Sequence, residues 1–204
     1  MSDVVAIVLA AGLGRRMGGR PKALLRFPAG PTFLEAIVAT CAAAGVERVV
    51  VVLASAPEGA AKAVLDATVP PGATIARNPA PERGMISSIH VGLRSEAAQG
   101  VAGALVWPVD CPRVPASVVR QLIETVARTH APLVIPRHGR RRGHPALFAA
   151  SLFDELLAVP IDGDGARAVV RSHQGEMVTI DVDAAEVLDD FDTLADLCGI
   201  AAPG

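Results

Sequence analysis

The chain has 204 residues, of which 51% are hydrophobic and only 3% aromatic, with a formal net charge of −2. This length and composition suit one α/β domain with a core of Ala, Val, Leu and Ile, and the charge gives no reason to expect nucleic acid or a membrane as partner. Three widely spaced cysteines (Cys41, Cys111, Cys198) form no C-x-x-C motif, and the first residues lack both the basic start of a signal peptide and an apolar run that spans a bilayer. A cytoplasmic protein is therefore expected.

Short β-branched runs alternate with helical stretches, the pattern of a parallel sheet covered on both faces. Val4 to Ala10 is the first predicted strand. "PTFLEAIVATCAAAG" reads as a helix with Thr32 as N-cap and Gly45 as its stop, and "RVVVVLA" (48–54), apolar on both faces, reads as a central parallel strand. A helix "EGAAKAVLDA" and a strand "ATIARN" ending at Asn78 follow, then a helical stretch over 85–98 and a strand "AGALVWPVD" ending at Asp110. "PASVVRQLIETVART" is a helix opening on Pro115, and "APLVIP" a strand. Beyond it "GRRRGHPALFA" reads as a loop and a strand that hairpins back, followed by short helices and the strand "EMVTID". No repeat or linker divides the chain, so one domain over 1–204 is expected, with a first half to about residue 112 and a second from about 113.

The loop after the first strand, within "VLAAGLGRRMGGRPKALL" (8–25), carries Gly12, Gly14, Gly18 and Gly19, where backbone N–H groups approach an anion without Cβ obstruction. Arg15, Arg16, Arg20 and Lys22 add positive charge, so a phosphate-rich ligand is expected. The loop is not a dinucleotide fingerprint, because the third glycine position holds Met17, and it is not a P-loop, because no Gly-Lys-Ser or Gly-Lys-Thr follows.

Leu9 to Lys22 resembles the L-A-A-G-x-G-x-R-M-G-x-x-K signature of the MobA-like nucleotidyltransferases, with one extra residue before the lysine. Five further segments are similar to that family in the same order: "NPAPERGMISSI", "PVDCPRV", "RRGHPALF", "DGDGAR" and "DDFDTLADL". The resemblance implies a three-layer Rossmann-like nucleotidyltransferase fold, with a mostly parallel sheet and an added hairpin region. It also implies transfer of CMP from CTP to the terminal phosphate of a molybdopterin-type acceptor, with Mg2+ and release of pyrophosphate. A recipient molybdoenzyme would then be a partner.

Carried over residue by residue, the resemblance puts Lys22, Arg16 and Asp110 in catalysis, and Leu9, Ala10, Ala11, Gly12, Gly14, Met17 and Lys22 around the triphosphate. Asn78, Gly84 and Ser88 would hold base and ribose. Asp110 would bind magnesium, with Asp192 as a second ligand, although Leu194 stands where the family has proline. Arg142, Gly143, His144 and Pro145 would face the acceptor, and Asp164, Gly165 and Arg167 would close the same pocket. Within the family Leu-Ala-Ala-Gly accompanies CTP and Leu-Ala-Gly-Gly accompanies GTP, so Ala11 points to CTP; its methyl group leaves less room for a purine. Open alternatives are a related transferase using GTP or another phosphorylated acceptor, a non-catalytic cofactor chaperone, and a dinucleotide-binding oxidoreductase. The last lacks an acidic residue near the end of the second strand, where Leu53, Ala54 and Ser55 stand.

Overall fold

The computed structural model describes residues 3–12, 21–28, 30–55, 66–67, 69–161, 163–191 and 196. Its strands are β1 (Val4–Leu9), β2 (Arg48–Ala54), β3 (Thr74–Asn78), β4 (Gly103–Pro108), β5 (Leu133–His138), β6 (Arg141–Arg142), β7 (Ala146–Ala149) and β8 (Val178–Asp181). They form one sheet in the order β3-β2-β1-β4-β7-β5-β6, with β8 also pairing with β5. The pairs β3–β2, β2–β1, β1–β4 and β5–β8 are parallel, whereas β7 runs antiparallel to both β4 and β5. The sheet is therefore mostly parallel, and the antiparallel set formed by the β5–β6 hairpin and β7 is the added hairpin region that the sequence led us to expect.

The α-helices whose full span lies within the described residues are α1 (Phe33–Ala43), α2 (Met85–Leu93), α3 (Ala116–Thr129), α4 (Phe153–Ala158) and α5 (Ala166–Ser172). Side chains alternate across a strand, and β1 shows where each set goes. Val4, Ala6, Val8 and Ala10 pack with Phe33, Leu34 and Ile37 of α1 and Leu122 of α3. Val5, Ile7, Leu9 and Ala11 pack with Ile86 and Ile89 of α2, Leu156 of α4 and Val169 of α5. Each buried Val, Leu or Ile contributes about 1.5–3 kcal/mol, so both layers hold β1 at the centre. Gly92 permits the close approach on the second face: a Cβ there would lie 2.3 Å from Ile7 Cγ2. No helix among the described residues is long and apolar enough to cross a membrane.

Local signals fix several boundaries. Thr32 caps α1 through a full capping box, its hydroxyl accepting from Glu35 N at 3.0 Å while Glu35 Oε2 accepts from Thr32 N at 2.6 Å. Gly45, at φ 80°, turns the chain out of that helix. Tertiary structure sets others differently from the sequence reading. β4 stops at Pro108 rather than running to Asp110, since Val109 and Asp110 form a turn. The helical stretch 85–98 breaks after Leu93, where Ser95 Oγ donates to Gly92 O at 2.6 Å, and resumes as a 3-10 turn over Glu96–Ala98. β5 begins two residues later than expected, after Pro132, and runs on to His138. Most of the helix expected at 58–67 lies outside the described residues; Asp66 and Ala67 are helical.

Candidate active site

β1 and β4 are parallel neighbours with Leu9 opposite Pro108, so their following loops open side by side at the same end of the sheet. In open α/β sheets this carboxyl end is where ligands bind. Val109 N donates to Leu9 O at 3.2 Å, and Trp107 Nε1 donates to Cys111 O at 2.9 Å, which together hold the loop that presents Asp110. Lys22, 88 residues away in sequence, opens a 3-10 turn and directs its ammonium to Asp110 Oδ2 at 2.9 Å. The two side chains are 15% and 24% exposed, enough shielding for the pair to fix both groups and enough access for a ligand to reach them. A cavity of about 200 Å³ lies over the pair, walled by Leu9, Ala11, Gly12, Gly84 and Ser88.

Ala10 does not join this wall, because its side chain belongs to the opposite face of the sheet. Asn78 also departs from its expected place on the base. It is 1% exposed, its Nδ2 donates to Ser87 Oγ at 2.8 Å and to Ser88 Oγ at 2.9 Å, and its Oδ1 accepts from Ala80 N at 2.9 Å. Both amide hydrogens are thus used inside the protein, and the side chain shapes the loop 79–84 instead of reading a ligand. Gly84, at φ 86°, ends that loop and starts α2, as a residue with a Cβ does only under strain. Gly14, Arg16, Met17 and Asp192 lie outside the described residues.

Because β7 runs against β4, with Ala146 opposite Val106, its beginning lies near the end of β4. That reversal brings His144 to the site from 34 positions beyond Asp110, within electrostatic reach of Asp110, Asp190 and Arg167. Burial pulls the His144 imidazole below the ordinary histidine value; Asp110 and Asp190 push it back up and Arg167 adds to the depression. Its Nδ1 is buried without a hydrogen-bond partner among the described residues. Pro145 follows as a buried residue through a cis peptide bond. Gly143 is required by packing, since a Cβ would lie 2.3 Å from Val187 O. Arg142 is exposed in β6, paired across the hairpin with Arg137, and lines neither cavity at the site.

A second cavity, of about 470 Å³, adjoins the first and shares Gly84 and Met85 with it. Asp164, Gly165 and Arg167 line it together, joined by Arg83 and Arg171, which the motifs did not single out, whereas Gly143, His144 and Pro145, expected in the same pocket, are not among its lining residues. Arg171 pairs with Asp164. Arg83 sits in the loop "NPAPERGM" and Arg171 one turn beyond Arg167 on α5, so only three-dimensional proximity links them.

The sequence reading also missed the strap at residues 189–191. Arg113 forms a two-pronged ion pair with Asp189, Nε to Oδ2 and NH2 to Oδ1 both at 2.8 Å, and lies 5.4 Å from the Phe191 ring centre. Cys111 Sγ donates to Asp189 O at 2.9 Å and Phe191 N to Asp110 O at 3.4 Å. Burial first, and then the surrounding carboxylates, push the Cys111 thiol far up, so it stays protonated and is no nucleophile. Among the described residues no three His, Cys, Asp or Glu side chains form a metal cage. A carboxylate at a strand end beside a phosphate-sized cavity nevertheless suits magnesium, which binds through one or two carboxylates and completes its shell with water and phosphate oxygens.

The comparisons with known proteins agree with this architecture. The probable molybdenum cofactor guanylyltransferase of Mycobacterium ulcerans is 29% identical over 207 residues, covering 100% of this chain and 97% of that protein. The nicotine blue oxidoreductase of Paenarthrobacter nicotinovorans is 33% identical over 199 residues, covering 94% and 93%. The crystal structure of Rv0371c from Mycobacterium tuberculosis H37Rv superposes with a TM-score of 0.75 at 27% identity, over 96% of each chain. A complex of Rv0371c with manganese gives a TM-score of 0.72 at 28% identity, over 96% and 95%. The MobA-like NTP transferase domain matches residues 6–177, and the chain belongs to that family.

Proposed function

We propose that the chain transfers a nucleotidyl group from a nucleoside triphosphate to the terminal phosphate of a molybdopterin-type acceptor and releases pyrophosphate. The observation that carries this reading is the Lys22–Asp110 pair set at 2.9 Å across the mouth of a cavity at the ends of β1 and β4. An acceptor phosphate oxygen attacks the α-phosphorus, a new P–O bond forms, and the bond to the bridging oxygen of pyrophosphate breaks with its electron pair. The nucleophile is already an anion, so alignment and charge neutralisation suffice. Lys22, with Arg16 from the glycine loop, neutralises phosphate charge, and the backbone around Gly12 approaches the chain of phosphates closely. Asp110 and Asp192 would hold magnesium, which when bound supplies electrophilic assistance to the phosphoryl oxygens.

For the donor, relatives named as molybdenum cofactor guanylyltransferases favour GTP. CTP is the second reading, favoured by Ala11, whose side chain is on the cleft wall. The name of the Paenarthrobacter relative raises a redox reading, against which stands the uncharged end of β2 at Leu53 and Ala54.

One experiment separates these readings: purified protein with magnesium, molybdopterin and GTP, CTP or ATP, followed by pyrophosphate release, with NADH or NADPH oxidation measured alongside. Pyrophosphate release with GTP is expected, and Asp110→Asn is expected to lower it by about 100-fold or more. A wild-type preference for CTP that Ala11→Gly shifts towards GTP would replace the first donor reading with the second. Undiminished release by Asp110→Asn would remove Asp110 from catalysis.

A further inference from the structure

We infer that Lys22 acts as a stand-in cation on Asp110, so that a divalent ion and a triphosphate enter the cleft cooperatively, by exchanging this ion pair for two others. The inference rests on the nucleotidyl-transfer reading above and adds to it a rule for how the site fills. In that reading Lys22 serves phosphate oxygens and Asp110 serves magnesium. In the structure the two groups serve each other: Lys22 Nζ donates to Asp110 Oδ2 at 2.9 Å, and both side chains are partly shielded from water. Each group therefore has to leave one charge partner in order to take the other.

The geometry makes the competition direct. Magnesium binds oxygen at about 2.0–2.1 Å, so an ion on the Asp110 carboxylate would meet an ammonium already hydrogen-bonded to one of its oxygens. Two cations crowded on one small group repel, and partial burial leaves little water to screen them. A triphosphate meets the mirror-image obstacle. To hold it Lys22 must abandon Asp110, which leaves a shielded carboxylate uncompensated beside a polyanion. When ion and triphosphate arrive together, one ion pair becomes two, ammonium with phosphate and carboxylate with metal. Each ligand then strengthens the binding of the other by the same factor.

The fold decides which partner moves. The loop of Asp110 is held through its backbone, with Val109 N donating to Leu9 O at 3.2 Å and Phe191 N to Asp110 O at 3.4 Å. Lys22 carries its ammonium on a flexible four-carbon stem, while the 3-10 turn behind it is pinned by the buried Ala23 and Leu25. Both residues line the cavity of about 200 Å³, which gives the ammonium room to swing from carboxylate to phosphate.

Two binding experiments on the full chain test the exchange. In the first, Mn2+ alone is titrated as a paramagnetic substitute for magnesium and followed by electron paramagnetic resonance. In the second, inorganic triphosphate, the part common to every nucleoside triphosphate, is titrated by calorimetry with EDTA present. Lys22→Met is expected to bind Mn2+ about tenfold tighter than wild type, and Lys22→Arg, which keeps a cation on Asp110, to bind it as wild type does. Asp110→Asn is expected to bind triphosphate about tenfold tighter than wild type in the absence of metal. Arg167→Gln removes a positive charge from the adjoining cavity and is the control, with Mn2+ affinity close to that of wild type. Lys22→Gln and Asp110→Ala are measured beside the first variants, with thermal melting of each, so that a folded form of each change is compared. A Lys22 or Asp110 change that leaves its probe bound no tighter than in wild type overturns the inference, as does a gain in Arg167→Gln equal to that in Lys22→Met. Pyrophosphate release judges the transfer reading separately: both gains without turnover in wild type sink that reading alone, and turnover in wild type without the gains sinks this one.

Discussion

A methyl group at position 143 would meet the Val187 carbonyl oxygen at 2.3 Å and the Val187 Cβ at 2.8 Å. Backbone on one side and a buried side chain on the other leave no flexible group to yield. Gly143→Ala is therefore expected to destabilise the fold by about 1–3 kcal/mol through overpacking, measured by urea unfolding. It would also strain the bond in which His144 N donates to Val187 O at 2.8 Å. The Gly-His-Pro segment shows how far a motif is legible at this scale. Its histidine comes within electrostatic reach of Asp110 without lining either cavity, and its glycine answers to the turn over 185–188, a partner 44 residues away that no local pattern announces. Asn78 carries the same lesson: residue type named a polar role, and only the positions of Ser87 and Ser88 show that the role is internal.

Between α4 and α5 the tie is a histidine–carboxylate contact, His173 Nε2 to Glu155 Oε2 at 2.6 Å, with Ser172 Oγ donating to Glu155 Oε1 at 2.9 Å. The Glu155 hydrogen bond raises the His173 pKa, and the His173 hydrogen bond lowers that of Glu155. For the raised histidine, stabilisation is full below its unfolded value of about 6.5 and lost as pH rises through the folded value; for the lowered glutamate it is present above about 4.5 and lost as pH falls. The docking of α5 is thus expected to be firmest between about pH 4.5 and 6.5, by linkage. Hydrogen exchange of the α5 amides at pH 5.5 and 8.5 measures this, and His173→Gln removes the difference. His144 works in the other direction. Its depressed value means stability present above about pH 6.5 and lost as pH falls, which a His144→Gln melting series checks. Element boundaries set by side-chain signals, such as Thr32 and Gly45, were legible in sequence. Those set by partners, such as the end of β4 at Pro108, were not.

Across the whole molecule the chain returns at residues 189–191 to lock the loop that presents Asp110, through contacts spanning 76 and 78 positions. The Arg113–Asp189 pair is partly shielded, with side chains 27% and 10% exposed. Replacing Asp189 by Asn is expected to cost about 1–2 kcal/mol, between the values for exposed and buried pairs. It should raise hydrogen exchange at 189–191 while the amides of β1 and β2 stay protected. The alternation of strands and helices made a mostly parallel sheet readable from sequence, and the change of register after β5 signalled a hairpin. The insertion of β7 between β4 and β5, and the meeting of Lys22 with Asp110, depend on long-range pairing that no window of sequence contains.

The alternation of β1 has one more consequence. Ala10 and Ala11 are adjacent and chemically identical, yet one serves the layer of α1 and the other the wall of the cleft. Deleting any one residue within β1 would exchange the two layers' side chains and turn Ala10 towards the ligand. A length change in this strand would consequently disturb both layers at once, whereas exchanging alanine for glycine at position 11 alters the cleft wall by one methyl group and leaves the strand's register as it is.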